Sequence, residues 1–353
     1  MALWIVRGGS HGEHEKKFID ESSVFLTWGE LTSGDLTKVR NLEDIRLRLS
    51  RIFPSESAAK LANHSRQIRQ FLVGMKKGDW IVLPRKNKPT IAIGEVLAEC
   101  EYDPSASNDY RHVRKVKWLN TEIPRSNFDQ DILYSFGAFL TICEIKRNDA
   151  EARVRAMARN NWKVLVASVG KGKSRTVAAE ATATPEQTVD DAGVDFEALA
   201  RDDIARLIIR KFKGHGMARL CDAILRAQGF TTFLSPEGAD KGIDILAGSG
   251  PYGFDSPRIC VQVKSGDTPA DHPEFTHLIG AVDSVQAEYG LFVSWSDFKS
   301  SVNREEAAKF FKVRLWNQND VIDQLLKHYE RLDQDIRAEI PLKQIWLVAN
   351  RVD

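Results

Sequence analysis

A run of small and polar residues near the middle of the chain limits what it can fold into more than any other feature. Residues 170–193, GKGKSRTVAAEATATPEQTVDDAG, have two valines as their largest apolar side chains. Such a run buries too little apolar surface to offset the entropy lost on ordering it. It reads as a flexible linker, taken as 166–195, between two folded domains at 1–165 and 196–353. A length of 353 residues, with 42% hydrophobic and 28% charged, suits two ordinary globular domains.

No apolar run approaches the ~20 residues of a membrane helix. The start, Met1-Ala2-Leu3-Trp4-Ile5-Val6-Arg7, is too short for a signal-peptide core, so a cytoplasmic protein without membrane contact is expected. Cys100, Cys143, Cys221 and Cys260 lie far apart without a CxxC pair and read as buried, reduced thiols rather than a zinc site. The net charge of +1 says little, but residues 1–165 hold 27 Lys and Arg against 21 Asp and Glu, and the remainder 23 against 28. A basic front half and an acidic back half suit a DNA-gripping reader joined to a carboxylate-bearing active site. Random scatter of surface charge is the plain alternative.

Before the linker, short β-rich runs at 24–28, 80–84, 91–100, 113–119 and 139–145 alternate with turn signals, which indicates a small barrel or strongly curved sheet. Helical spacing interrupts them at 42–53 and 55–75, with Ser55 as N-cap of the second. After the linker, helix and strand alternate. Helices are expected at 196–212, 217–228 (stopped by Gly229), 274–287, 300–311 and 320–335. Strands are expected at 231–234, 242–247, 258–264, 289–294 and 313–316, with one more at 344–348. This is the pattern of an α/β layer domain.

The chemistry concentrates in Gly238-Ala239-Asp240-Lys241-Gly242-Ile243-Asp244, a glycine-rich turn entering a strand, and in the later strand Ile259-Cys260-Val261-Gln262-Val263-Lys264. Residues i and i+2 of a strand share a face, so Gln262 and Lys264 can address a site that holds Asp244. A carboxylate, an amide oxygen and a lysine are what metal-dependent phosphodiester cleavage needs. Asp244 binds Mg²⁺ or Mn²⁺, the Gln262 amide oxygen and the Val263 carbonyl assist, and Lys264 positions or deprotonates the attacking water and offsets charge on the phosphate. The bland alternative is that Asp244 caps a turn and Lys264 is a surface charge. Trp295, Lys299 and Arg304 are weaker candidates for backbone contacts.

GADKGIDILAGSG, CVQVKSG and the preceding helix ending in RAQGF resemble the Mrr-like branch of the PD-(D/E)xK nucleases over about residues 214–325. That resemblance implies a restriction-endonuclease-like α/β/α core, in which glutamine commonly replaces glutamate before the x-Lys. Many relatives carry a glutamate early in the first core helix, where this chain has Ala218. Asp222 or His215 stands in for it, or that ligand is absent. His215, at a helix N-terminus, is also placed to touch a phosphate; a plain turn histidine is the alternative.

In the front half, LWIVRGG, FLTWGEL, MKKGDWIVLP, IAIGEV and YRHVRKVKWL resemble the EVE-like members of the PUA superfold. This implies a β-barrel with helices that holds a modified or flipped-out base in an aromatic pocket. Trp28 is the leading stacking candidate, followed by Tyr102 and Tyr110. Arg111, Arg114, Lys115 and Lys117 form a basic cluster suited to phosphates. Trp28 as a core residue and the cluster as a solvated face are the alternatives. His11, Glu13 and His14 sit in a glycine-rich stretch that fits a turn better than a metal site.

Together these readings describe a modification-dependent, type IV-like restriction endonuclease acting on double-stranded DNA, homodimeric so that both strands are cut. Two alternatives stay open. One is a nuclease gated by a small nucleotide or RNA bound to the front domain; the other is a DNA-binding module whose metal site has decayed.

Overall fold

The computed structural model describes residues 1–29, 34–39, 41–86, 88–137, 140–163, 195–238 and 242–346. The expected linker lies outside the described residues apart from Asp195, as do Ala239, Asp240 and Lys241 of the glycine-rich turn and the end of the expected 344–348 strand. The part of that strand that is described, 344–346, is not extended into a sheet. The chain divides into two compact units, Met1–Leu199 and Ala200–Ala349.

The front unit is built from β1 (Leu3–Val6), α1 (Glu15–Asp20), β2 (Ser23–Phe25), α2 (Leu42–Ile52), α3 (Ala58–Arg69), β3 (Trp80–Pro84), β4 (Thr90–Val96), β5 (Glu101–Tyr102), β6 (His112–Pro124), α4 (Gln130–Phe136), β7 (Ile142–Glu144) and α5 (Ala150–Arg159). The strands form one curled sheet in the order β2-β6-β4-β3-β1-β7, with β5 added on β6. Strands β1 and β3 are apolar at every position because both faces of the sheet are covered. Leu3, Ile5, Trp80, Val82, Ile91 and Ile93 face α4 and α5. Trp4, Val6, Ile81, Leu83 and Ala92 face α1, α2 and α3. Helix α3 starts at Ser57, whose side chain accepts from the Lys60 amide, and not at Ser55 as expected. A turn that bonds the Glu56 amide to the Phe53 carbonyl occupies the residues around Ser55. Beyond α3 the chain continues as a π-turn over Gln70–Gly74.

The rear unit contains most of α6 (Phe196–Phe212), then α7 (His215–Ala227), β8 (Thr231–Leu234), β9 (Ile245–Ser249), β10 (Asp255–Lys264), α8 (His272–Ser284), β11 (Tyr289–Ser294), α9 (Ser300–Ala308), β12 (Val313–Trp316), α10 (Gln318–His328) and α11 (Gln334–Glu339). Its sheet runs β12-β11-β10-β9-β8. Strands β8, β9 and β10 pair antiparallel, and β10, β11 and β12 pair parallel through the crossover helices α8 and α9. Gly229 ends α7 at φ +104, a left-handed position open to glycine at little cost, and the Phe230 amide returns to the Leu225 carbonyl. Helices α6, α7 and α10 cover one face of the sheet, against Ile245, Val261, Leu291 and Val293. Helices α8 and α9 cover the other, against Cys260 and Phe292. Among the described residues no helix is long and apolar enough to cross a membrane.

His112 lies fully buried at the start of β6. Its Nε2 accepts the Leu36 amide at 3.0 Å, while Nδ1 is buried without a partner. Burial pulls its pKa down to about 4. A histidine kept neutral in the fold costs nothing above its ordinary pKa near 6.5, and opposes folding progressively as pH falls from there towards 4. We expect urea denaturation to show the front unit losing about 3 kcal/mol over that window. His112→Gln should flatten this dependence; an equal slope in that variant would assign it to other groups.

Candidate active site

Strand β10 carries the site because its two faces are committed just before Gln262 and Lys264. Val261 packs on the α7 side and Cys260 on the α8 side. Strict alternation then puts Gln262 and Lys264 on the α8 face. Strand β9 pairs antiparallel with it, Val261 opposite Ile245 and Cys260 opposite Leu246. Asp244 is the residue just before β9, beyond the last paired position of the two strands. The Asp244 amide donates to the Val261 carbonyl at 3.0 Å, and its Oδ2 accepts the Val263 amide at 2.7 Å. The carboxylate is therefore held at the point where the ladder of β9 gives out.

Gln262 is 4% exposed, and its Oε1 is buried without a hydrogen-bond donor. An acceptor left so costs about 1–3 kcal/mol. A hard cation bound beside it, with Asp244 supplying charge, would satisfy that oxygen, so these residues fit a divalent metal. Among the described residues no group of three or more His, Cys, Asp and Glu is arranged to hold a metal ion. Among the described residues, the oxygens that fit such an ion include one carboxylate and one amide.

Lys264 ends β10, with its Nζ 3.2 Å from Glu274 Oε1 at the start of α8. The turn beyond it is tied down, because the Gly214 amide donates to Ser265 Oγ at 2.7 Å. This brings the first residue of α7, His215, to the lysine end of β10. Asp222 lies further along α7 and is buried, with Oδ2 bonded to Arg226 Nε at 3.0 Å and Oδ1 unpartnered. Burial pushes the Cys221 thiol far up, and Asp244 and Asp222 add to the rise. All four cysteines are free thiols; three are buried and Cys100 is half-buried. Trp295 belongs to the core, Lys299 pairs with Asp271 at 3.4 Å, and Arg304 stays exposed on α9.

Two side chains at this site were missed in the sequence. Glu274 forms a capping box with Asp271, and the pattern Asp271-His272-Pro273-Glu274 was its legible signal. His277, one turn further along α8, lies against Gly242, which approaches Asp244 at φ +78.

In the front unit, the Trp28 ring stacks on His64 with centroids 5.5 Å apart. The Gly29 amide donates to Asp109 Oδ1 at 2.7 Å, which ties the Trp28 loop to the turn bearing Tyr110. The Tyr110 hydroxyl pairs with His14 Nδ1 at 2.8 Å, its ring meets Phe25 edge-on, and Lys17 Nζ stands 4.6 Å from its centroid. Tyr102 packs on the His112 ring. The three aromatics thus gather around the start of β6, each with a protein ring as neighbour. Lys115 and Lys117 are exposed on β6, and the Arg111 Nε donates to the Ala106 carbonyl at 3.0 Å.

Arg114 corrects the sequence reading. It is 0% exposed, and its guanidinium donates to the carbonyls of Phe71, Leu72 and Ala98. It satisfies the end of the α3 extension from inside and presents no charge to a phosphate. The signal was available, since Arg114 shares strand parity with the inward-facing Val116.

With this geometry in place, the rear unit is a restriction-endonuclease-like α/β domain. Residues 209–325, less than half of the chain, match the family described as Restriction endonuclease (Mrr_cat). Residues 4–134 match a domain of unknown function (DUF8426). No curated protein matches the chain. Among solved structures, the DNA modification-dependent restriction endonuclease AspBHI matches at 15% identity over 74% of this chain and 67% of its own, with a TM-score of 0.33. The MspJI restriction endonuclease in complex with a 27-mer oligonucleotide matches at 14% identity over 97% of this chain and 80% of its own, with a TM-score of 0.30. A protein of unknown function, AF1548, matches at 17% identity over 38% of this chain and 79% of its own, with a TM-score of 0.25.

A Cβ on Gly242 would come within 2.5 Å of the His277 ring, at a backbone angle that already disfavours L side chains. We expect Gly242→Ala to lower stability by about 1–2 kcal/mol. An unchanged calorimetric melting temperature would show that the turn is not constrained as described.

Proposed function

We propose that the chain is a modification-dependent restriction endonuclease, whose front unit reads a modified, flipped-out base and whose rear unit hydrolyses DNA phosphodiesters. The observation that carries the nuclease assignment is the buried, donorless Oε1 of Gln262 beside Val263, whose amide binds the Asp244 carboxylate, with Lys264 two residues along the same strand. The Restriction endonuclease family match over 209–325 supports it.

Asp244 and Gln262 would hold Mg²⁺ or Mn²⁺, with the Val263 carbonyl as a further oxygen. When bound, the ion supplies Lewis-acid polarisation of the phosphate and makes a bound water more acidic. Val263 keeps the carboxylate oriented through its amide. Lys264 offsets charge developing on the phosphate and orients the attacking water. The first turn of α7, with His215, presents backbone N–H groups and a ring nitrogen to a phosphate oxygen. Asp222, half-engaged by Arg226, supports the site electrostatically. Cleavage of both strands calls for two rear units, hence a homodimer on duplex DNA.

For the reader, Trp28 is the stacking surface, with Tyr110 and Tyr102 lining the same end of the EVE-like, PUA-type fold. A flipped base would displace or extend the Trp28–His64 stack. Stacking of this kind offsets the few kcal/mol of extrusion. Lys115, Lys117 and Arg111 supply phosphate contacts.

Cleavage assays on matched duplexes carrying cytosine, methylcytosine, hydroxymethylcytosine or glucosylated bases, with and without Mg²⁺, test both halves. Asp244→Ala and Lys264→Ala should each abolish Mg²⁺-dependent cutting while leaving the circular dichroism spectrum intact; undiminished cutting by either overturns the active-site assignment. Trp28→Ala should lose preference for modified DNA, and retained discrimination would move the reader site elsewhere.

A further inference from the structure

Lys264 reaches Glu274 from a flexible four-carbon stem, and Glu274 is itself held rigidly. Its Oε2 accepts the Asp271 amide at 3.1 Å, while Asp271 Oδ1 accepts the Glu274 amide at 3.4 Å. Asp271 is in turn paired with Lys299, and the neighbouring Phe275 is fully buried, anchoring the first turn of α8. One carboxylate thus has one oxygen committed to the helix cap and the other, Oε1, to the lysine at 3.2 Å. Both side chains of the Lys264–Glu274 pair are more than a third exposed, at 42% and 36%. A pair so open to solvent contributes little to stability, so its effect lies in where it puts the ammonium.

We propose that Glu274 is the positioning residue for Lys264, fixing the ammonium on the α8 face of β10 beside Gln262 and Asp244. This rests on the nuclease reading above. It adds that α8, outside the strand pair bearing the motif, is part of the catalytic apparatus. Glu274 takes one of the ammonium's three donors and leaves the others for an incoming phosphate. A lysine left free would sample many rotamers, and misplacement of a reacting group by an ångström is enough to slow chemistry about 100-fold.

The variant Glu274→Gln separates this role from a structural one. Glutamine at this helix position still completes a capping box, so the fold is kept while the charge that holds Lys264 is removed. We expect an unchanged melting temperature, an unchanged KM for DNA and a kcat lower by about 10- to 100-fold. Glu274→Asp, which keeps the charge, should recover part of that loss. In ¹⁵N-lysine-labelled protein without DNA, the Lys264 ammonium resonance should broaden or vanish in Glu274→Gln. A Gln variant with wild-type kcat and an unaltered Lys264 resonance overturns the positioning role. So does a kcat loss that merely follows a lower melting temperature. Failure of the nuclease reading looks different, because wild-type protein itself would then not cut, or would cut equally well as Lys264→Ala.

Discussion

The hydrogen bond from the Val263 amide to the Asp244 carboxylate is the constraint on which the candidate site depends. It is made where the β9–β10 ladder ends, so the backbone of one strand grips the side chain of the other and fixes its direction. The buried faces of β10 supply the rest. With Val261 held under α7 and Cys260 under α8, the parity of Gln262 and Lys264 is settled before any polar contact forms. A one-residue slip would turn Val261 and Val263 towards α8 and drive Gln262 and Lys264 into the α7 core, a change that the packing on both faces forbids. The apolar core thus registers a polar site that contributes little to stability and leaves one buried oxygen unsatisfied.

The front unit uses its polar residues differently. Its sheet is covered on both faces, and the polar side chains buried there include Arg114, answered by three carbonyls, and His112, kept neutral by burial. Both sit on β6, whose opposite parity carries the exposed Lys115 and Lys117. One strand therefore stabilises the interior with one set of alternate residues and offers cations to solvent with the other. The aromatic residues at its start, Tyr102, Tyr110 and the tethered Trp28, lie at the end of the strand nearest those cations in sequence.

The rear unit was the more legible half, because its element types differ in period and its boundaries carry glycine. Strands β8, β11 and β12 fall at the expected residues, and α6 matches end to end. Helix α7 begins two residues earlier than expected, since His215 already joins it after Gly214. In the front unit, α1, α4 and α5 passed unnoticed: six, seven and ten residues carry too few turns for helical spacing to stand out. Of the site, Asp244, Gln262 and Lys264 were readable as strand neighbours, because alternation and pairing are local rules. Glu274 and His277 were not, because they reach the site through the packing of α8 on the sheet. Arg114 was misread for the reverse reason, with charge given more weight than strand parity.

Crystals soaked in Mn²⁺ and measured at the manganese absorption edge test the central claim most directly. An anomalous peak within about 2.5 Å of both an Asp244 carboxylate oxygen and the Gln262 amide oxygen is the predicted result. A peak elsewhere in the rear unit, or none there at saturating Mn²⁺, would contradict it.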